Sequence, residues 1–227
     1  WTSAINGSGF PGKAITPLKT SDVPEYSDPT FTFSESHNEG MILDNVTFSS
    51  ANFCVAFRIS VNHPNQTQEA TILSIFESSS GDGFKFQVNA GQSTQGTALV
   101  QIDDDDDGND EVGSGTNLLF NDVIPPDPNL NPLSECSLAI VNDALNNTMT
   151  LKILASDSST VQTYTIEGSS HSNQFIDAKI YFGCHEIRQG FDFPFKGMAG
   201  TISHIAIYDS ALTPTDVDEV LLDIKEL

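Results

Sequence analysis

The feature that most constrains the fold of this chain is a long series of short apolar runs. From about residue 29 onward, runs rich in Val, Ile, Phe and Thr are separated by clusters of Gly, Asn, Asp, Ser and Pro. In DGFKFQVN, Phe84, Phe86 and Val88 fall on every second position. This alternation is typical of antiparallel strands with one face on a core. The series therefore predicts an all-β chain with two packed sheets.

Twelve runs fit this description, and one helix is predicted at the end of the sequence. In TPTDVDEVLLDIKEL, Thr213 or Thr215 is the expected N-cap, acidic residues occupy the first turn, and Val220, Leu221 and Ile224 form an apolar stripe. The predicted strands are 29–33, 40–48, 52–61, 70–77, 82–89, 97–102, 116–121, 136–142, 148–155, 161–166, 178–183 and 200–209.

The chain of 227 residues is long enough for one large β domain, which we place at residues 29–227. Residues 1–28 mix Gly, Pro and Ser with isolated aromatics and show no sustained period, so they predict an N-terminal extended arm. The arm lies along its own domain or docks on a neighbouring molecule. The chain begins at Trp1 without Met or a leader, so we expect a processed segment of a secreted or cell-surface protein.

The net charge of the chain limits the classes of partner that it can bind. The formal net charge is −22, and the nine basic residues are spread singly along the sequence. Binding to nucleic acids and to anionic membranes depends on clusters of Lys and Arg in the protein. Because this chain has no such cluster, both are excluded as partners. Cations and neutral polar ligands such as glycans fit this surface better. No apolar run approaches the roughly 18 residues that a membrane span needs.

The glycosylation sequons and the cysteine count are two further patterns that matter if the chain is secreted. N-x-[ST] sequons occur at Asn6, Asn45, Asn65 and Asn146, and these are glycosylation acceptors if the chain enters that pathway. Three cysteines allow at most one intramolecular disulfide.

The stretch QIDDDDDGND, residues 101–110, is the strongest candidate for a metal site. Asp103, Asp105, Asp107 and Gly108 spell D-x-D-x-D-G, in which alternate carboxylates converge on a hard cation and glycine allows the sharp turn. Asn109 and Glu111 add further oxygen ligands. Position twelve of the loop is Ser114 rather than the bidentate Glu of an EF-hand. A calcium loop and a merely solvated acidic loop both remain open.

The C-terminal stretch FKGMAGTISHIAIYDSALTPTDVDEVL, residues 195–221, resembles the closing motif of laminin-G-like and pentraxin-like domains. Its matching parts are Phe195 with Gly197, the corner from Ile207 to Asp209, and the Ala211 to Pro214 step into the helix. FSSANFCVAFRISV, ILSIFESSSGDGFKFQV and CSLAIVNDALNNTMTLKI resemble earlier strands of the same domains. The resemblance covers about residues 29–225 and implies an antiparallel two-sheet jelly roll of the concanavalin A-like type with a short C-terminal helix.

The same resemblance implies two sites. In pentraxin-like domains, cysteines on two comparable strands form a disulfide, which here implies a Cys54–Cys136 bond and leaves Cys184 as the remaining buried cysteine. Those domains also bind calcium in the loop before the Phe-x-Gly step. The matching polar residues are Glu186, Gln189 and Asp192.

Signals for catalysis are weak. ESHNE, residues 35–39, has the spacing by which sandwich glucanases place two carboxylates on one strand face, but His37 replaces the central Asp. We therefore predict a protein that is not an enzyme: an extracellular recognition module for a glycan or glycoprotein, with calcium as its cofactor if the acidic loop binds metal. The alternative is a structural subunit of a surface assembly that self-associates through the arm and its sheet edges. A third hypothesis is a glycosidase of the same superfold.

Overall fold

A computed structural model describes 16–17, 25–27, 30–33, 40–61, 70–77, 83–88, 98–103, 116–120, 135–184, 198 and 200–227. Within these residues the chain forms fourteen strands and one helix. In chain order they are β1 (Thr16–Pro17), β2 (Glu25–Ser27), β3 (Thr30–Phe33), β4 (Met41–Val46), β5 (Phe53–Val61), β6 (Ala70–Phe76), β7 (Gly83–Val88), β8 (Ala98–Asp103), β9 (Thr116–Phe120), β10 (Cys136–Asp143), β11 (Thr148–Ala155), β12 (Gln162–Glu167), β13 (Ala178–Phe182), β14 (Gly200–Tyr208) and α1 (Pro214–Glu226).

The strands form two antiparallel sheets of seven strands each. The first sheet has the order β1-β4-β13-β6-β7-β8-β9, and the second has the order β12-β11-β10-β5-β14-β3-β2. Strands that are neighbours in space come from distant parts of the sequence, as where β14 lies between β5 and β3. The predicted all-β jelly-roll sandwich is therefore confirmed.

The main core lies between the inner faces of the two sheets. On β5, Phe53, Val55, Phe57 and Ile59 point inward and are almost fully buried. They meet residues of the first sheet such as Phe84, whose ring lies edge-on to Phe53 with centroids 5.3 Å apart. Large aromatic and β-branched side chains dominate this layer, and their burial supplies most of the driving force for folding.

A second apolar cluster lies on the outer face of the second sheet, beneath α1. The helix buries Val217, Leu221 and Ile224 against β5, β10 and β11. The helix begins after Thr213, whose hydroxyl accepts a hydrogen bond from the Asp216 amide at 3.3 Å. The sequence prediction of the helix and of Thr213 as a cap is confirmed. The buried stripe starts one turn earlier than predicted, because Val217 is buried and Val220 is only half-buried.

The twelve predicted strands correspond to β3 to β14. The odd spacing of Ile202 and Ile207, which both reach the main core, is explained by a β-bulge in β14. Between Ser203 and Ala206, β14 has one residue more than β5, and this shifts the alternation by one position. Two short segments of the predicted arm, β1 and β2, pair with β4 and β3 of the same chain.

The structure contradicts the disulfide that the resemblance implied. Cys54 and Cys136 do lie on adjacent strands, but Cys54 is opposite Val141 and Cys136 is opposite Ile59. The five residue-to-residue steps from Cys54 to Ile59 span about 17 Å of strand, whereas bonded cysteines have Cα atoms about 4.4–6.8 Å apart. Cys136 also faces the main core and Cys54 faces the helix. Both thiols are free and buried, and Cys184 is buried as expected.

The described part of the chain contains no helix that is long and apolar enough to cross a membrane.

Candidate ligand-binding site

The predicted calcium loop connects two neighbouring strands at the edge of the first sheet. β8 ends at Asp103 and pairs with β9, which begins at Thr116. Asp105, Asp107, Asn109 and Glu111 lie outside the described residues, and so does the side chain of Asp103. Among the residues that are described, no group of three or more His, Cys, Asp or Glu side chains could hold a metal ion.

The second predicted calcium region, Glu186, Gln189 and Asp192, also lies outside the described residues. Its described flanking residue, Cys184, lies at the other end of the sandwich from Asp103. Asp103 pairs with Gly83 at the start of β7, whereas Cys184 follows the end of β13, whose Phe182 is in line with Phe86 near the end of β7. The two flanking points are separated by most of a strand of six residues, roughly 15–20 Å. The two predicted regions therefore start from opposite ends of the fold.

Two of the four sequons fall on described residues. Asn45 is exposed near the end of β4, and Asn146 is exposed in the turn between β10 and β11. The side-chain amide of Asn146 donates to Asp143 Oδ2 at 2.6 Å. Asn6 and Asn65 lie outside the described residues, as do Glu35 and Glu39 of the glucanase-like stretch.

The end of the sandwich at which β5 begins and β10 ends is held by a buried asparagine. Asn142 Nδ2 donates to the carbonyl oxygens of Ala51 at 2.6 Å and His171 at 2.9 Å. Its Oδ1 accepts from the His171 amide at 2.8 Å, and the His171 ring stacks on Phe175 with centroids 4.2 Å apart. These contacts join the end of β10 to the loop residues Ala51 and His171, so Asn142 positions this end rather than presenting polar groups to a ligand.

An open polar cleft lies instead on the outer face of the second sheet, beside α1. Because β5 alternates, Phe57 and Ile59 enter the core while Arg58 and Ser60 point outward. The pairing register places Thr30, Ser203, Arg58 and Ser137 in one row across β3, β14, β5 and β10. Thr32, Thr201 and Ser60 form the next row. The outer face therefore carries adjacent rows of hydroxyl groups around one guanidinium group.

We name this site the Arg58 cleft, and its volume is roughly 360 Å³. Its lining residues come from three strands, the β14 bulge, the residue before β10 and the end of the chain. They are Thr30, Arg58, Ile59, Ser60, Glu135, Thr201, Ser203, His204 and Leu227.

An ion pair stands at the edge of the cleft. Arg58 Nη2 donates to Glu135 Oε1 at 2.5 Å, and the Arg58 side chain is 25% exposed while that of Glu135 is 55% exposed. Exposed pairs of this kind contribute little to stability, roughly 0–1 kcal/mol. The pair is therefore better understood as a polar feature of the cleft surface than as a structural fastening.

Two residues of the cleft have a backbone conformation that non-glycine residues seldom adopt. Glu135 has a φ of 44° just before β10, and His204 has a φ of 49° in the β14 bulge. The Glu135 conformation is held in part by its carbonyl oxygen, which accepts from the Ser156 amide at 3.0 Å. Such strain costs about 1–3 kcal/mol and tends to cluster at functional sites. Its presence on two sides of one cleft favours a binding role.

A buried hydroxyl group lies next to the cleft. Ser137 is opposite Arg58 in the register and is 1% exposed, and its Oγ has no hydrogen-bond partner within the described structure. On its other side Ser137 is opposite Leu154, which packs beneath α1. Ser137 therefore marks the boundary where the apolar surface under the helix changes to the polar surface of the cleft.

The cleft offers both hydrogen-bond donors and acceptors. Serine and threonine hydroxyls serve as either, the guanidinium group only donates and the carboxylate only accepts. Sequence reasoning missed this site because Arg58 and Glu135 are 77 positions apart and meet only through the β5–β10 register. The available signal was the polar residues at alternate positions, Arg58 with Ser60 and Thr201 with Ser203, on strands whose other residues are apolar.

Comparisons with known proteins find likeness in structure only. No family model matches the sequence, and no curated protein matches it. The fold, in contrast, is similar to many solved structures.

Three solved structures illustrate the likeness. The heptameric SAP-like pentraxin from Limulus polyphemus is 15% identical with a TM-score of 0.54, over 92% of this chain and 82% of that one. The CBM40 domain of Ruminococcus gnavus IT-sialidase, bound to α2,6-sialyllactose, is 11% identical with a TM-score of 0.55, over 85% and 96%. The enzymatically active domain of bacteriophage CBA120 tailspike protein 2 is 13% identical with a TM-score of 0.64, over 99% of this chain and 32% of that one.

The protein is thus a two-sheet antiparallel sandwich with a polar cleft on one outer face. More specifically, it has the jelly-roll fold of the concanavalin A-like proteins, as the resemblance of its closing motif implied.

Proposed function

We propose that this protein is a non-catalytic extracellular recognition module that binds a glycan, alone or on a glycoprotein, through the Arg58 cleft. The observation that carries the proposal is the cleft itself, in which rows of Ser and Thr hydroxyls surround an Arg58–Glu135 pair on an open sheet face. Sugars are recognised by arrays of directional hydrogen bonds, because each hydroxyl both donates and accepts.

The fold supports the same proposal. A similar fold of comparable size, the CBM40 domain, is bound to sialyllactose. The net charge of −22 disfavours nucleic acids and anionic membranes as partners and leaves neutral polar ligands favoured.

Calcium dependence is a separate part of the proposal and rests on the acidic loop at residues 103–111. The loop joins β8 and β9, and its five consecutive aspartates repel one another unless a cation or solvent screens them. If it binds calcium, titration calorimetry with millimolar calcium releases or absorbs heat, and a chelator lowers the melting temperature. No heat and no change in melting temperature would remove calcium from the proposal while leaving the Arg58 cleft in place.

A glycan array probed with the intact protein tests the proposed function. We expect binding to a restricted set of glycans, with at least about tenfold loss in Arg58→Ala, because charge-assisted hydrogen bonds are lost. Lys179→Ala is the matched control, since it removes one positive charge from β13 in the other sheet. Repeating the array with chelator separates cleft binding from calcium-dependent binding. Absence of binding to any glycan contradicts the proposal.

A second candidate function is a structural subunit that self-associates through its arm and sheet edges. The observation that favours it is the position of β1 and β2, which come from the predicted arm and form an outermost strand of each sheet. The same pairing between two copies would join them by strand addition. Deleting residues 1–28 and measuring mass in solution tests this candidate, because an oligomer that survives the deletion is not held by the arm.

A further inference from the structure

We infer that the ligand of the Arg58 cleft is a neutral sugar with two adjacent hydroxyl groups, rather than a carboxylated or sulfated one. The inference rests on the proposed function and specifies its ligand class. It follows from the composition of the ion pair, because the cleft presents a guanidinium group and a carboxylate side by side.

Among the residues that the structure describes, few hydrogen bonds use the donors and acceptors of the pair. A guanidinium group has five N–H donors. Within the described structure, Arg58 makes one hydrogen bond, from Nη2 to Glu135 Oε1. Glu135 Oε2 has no bond to a described residue, and the Glu135 side chain is half exposed. A donor and an acceptor therefore stand next to each other at the cleft edge.

A pair of adjacent hydroxyl groups matches this arrangement. One hydroxyl oxygen accepts from Arg58 while the neighbouring hydroxyl donates to Glu135, so both charged groups remain paired and gain hydrogen bonds. The surrounding hydroxyls of Thr30, Ser60 and Thr201 accept or donate as a polyol requires.

An anionic sugar fits the cleft less well. Its carboxylate would compete with Glu135 for the same guanidinium group and would lie close to a like charge, which is destabilising. The remainder of the chain adds to this repulsion, since the net charge is −22. The positive charge of Arg58 is therefore already neutralised by Glu135, and the guanidinium group serves as a directional hydrogen-bond donor.

The strained Glu135 backbone is consistent with this role. A φ of 44° is unfavourable for glutamate, and an exposed ion pair does not compensate for it in stability. The conformation does direct the carboxylate to Arg58 at the cleft edge.

The test compares two probe classes on the intact protein. Methyl glycosides of mannose and galactose represent neutral sugars, and glucuronic acid and sialyllactose represent anionic ones. We expect titration calorimetry or saturation-transfer NMR to detect the neutral probes, with affinity nearly unchanged between about 0.05 and 0.5 M NaCl, because screening affects only charged ligands. A probe lacking one of the two adjacent hydroxyls should bind at least about tenfold more weakly.

Variants at Glu135 give the two ligand classes opposite outcomes. Glu135→Gln should weaken binding of neutral sugars about tenfold, because a carboxylate accepts more strongly than an amide. If Arg58 instead holds an anionic group, the same change should strengthen binding by removing a competing charge. Glu167→Gln, on an exposed position of β12, is the matched control. Arg58→Lys, which keeps the charge and loses the forked donors, should weaken neutral binding too.

Circular dichroism and melting temperature confirm that each variant is folded. Binding of neutral sugars that falls in Glu135→Gln and Arg58→Lys but not in Glu167→Gln supports the inference. Binding of anionic sugars that rises in Glu135→Gln overturns it and leaves the proposed function standing. Failure of the wild-type protein to bind any probe of either class, or any glycan on the array, overturns the proposed function itself.

Discussion

Gly183 lies against the ring of Phe33 so closely that a Cβ at this position would be 2.6 Å from the Phe33 Cε1 atom. Gly183 also has a φ of +78°, and its amide donates to the Ile72 carbonyl oxygen at 2.9 Å. The residue therefore joins the end of β13 to β3 of the opposite sheet, with no room for a side chain.

Replacing Gly183 with alanine should be costly. We expect Gly183→Ala to lower the free energy of unfolding by about 3 kcal/mol, the sum of left-handed strain and steric overlap with a buried ring. Gly168→Ala is the matched control, since Gly168 has a φ of +75° but no atom within 4 Å of the point that a Cβ would occupy, and it should cost only about 1 kcal/mol. Urea unfolding measures both, and equal losses would show that the Phe33 contact relaxes freely.

The ion pair between Lys152 and Asp218 should behave asymmetrically when its partners are changed one at a time. Lys152 Nζ donates to Asp218 Oδ1 at 2.6 Å and to the Pro214 carbonyl oxygen at 2.7 Å, and the lysine side chain is 4% exposed whereas Asp218 is 43% exposed. Asp218→Asn leaves a buried ammonium without its counter-charge and should cost about 2 kcal/mol. Lys152→Met leaves an aspartate that water can solvate and should cost less.

The double variant Lys152→Met with Asp218→Asn should be more stable than Asp218→Asn alone, because no buried charge then lacks a partner. Glu219→Gln, at an exposed position of the same helix, serves as the control. Thermal unfolding of the wild type, the two single variants, the double variant and the control checks the prediction, and strictly additive losses would contradict it.

The two buried thiols on β5 and β10 should make the protein sensitive to alkaline pH. Burial raises the pKa of Cys54 and Cys136 from 9.0 to about 12. The folded state therefore keeps protons that the unfolded state releases, so this contribution to stability is complete below pH 9 and is lost as the pH rises from 9 to about 12. Cys54→Ala with Cys136→Ala should flatten the loss of stability over that range.

The measurement is chemical unfolding at a series of pH values, with the single variants as controls. Reducing agent should leave the melting temperature unchanged, since neither cysteine forms a disulfide. A lower melting temperature after reduction would contradict this prediction and would support the disulfide that the resemblance implied.

Glu135→Asn should separate stability from binding at the Arg58 cleft. Asparagine tolerates a positive φ better than glutamate, so relief of strain should offset the lost ion pair and keep the free energy of unfolding within about 0.5 kcal/mol of the wild type. Sugar binding should fall at least about tenfold, because asparagine is shorter and uncharged. Denaturant unfolding and calorimetry on the same samples check both parts. A large loss of stability would assign Glu135 a structural role instead.

Most of the fold could be predicted from the sequence because its signals are local. Alternation such as that of Phe84 and Phe86 identifies a strand, and Thr213 followed by Pro214 identifies the start of α1. The register between paired strands, in contrast, depends on segments that are far apart in the sequence. Cys54 and Cys136 were correctly placed on paired strands, but only the alignment of Cys54 with Val141 shows that the thiols cannot meet.

The candidate site was not predictable for the same reason. Arg58 and Glu135 belong to separate segments, and neither is part of a motif that signals binding. Glu135, directly before β10, and His204, in the bulge of β14, both have a positive φ, and neither residue type predicts such a backbone. The calcium ligands of the acidic loop, in contrast, follow from local spacing, and the second set, Glu186, Gln189 and Asp192, follows from the resemblance; both sets remain predictions.

The position of β14 also has a consequence for how the chain reaches its native state. β14 is synthesised long after β3 and β5, yet it lies between them in the second sheet and pairs with both. Until β14 emerges from the ribosome, those two strands have unsatisfied main-chain edges and an uncovered apolar face. Nascent chains of this protein are thus expected to need chaperone protection until β14 has been made.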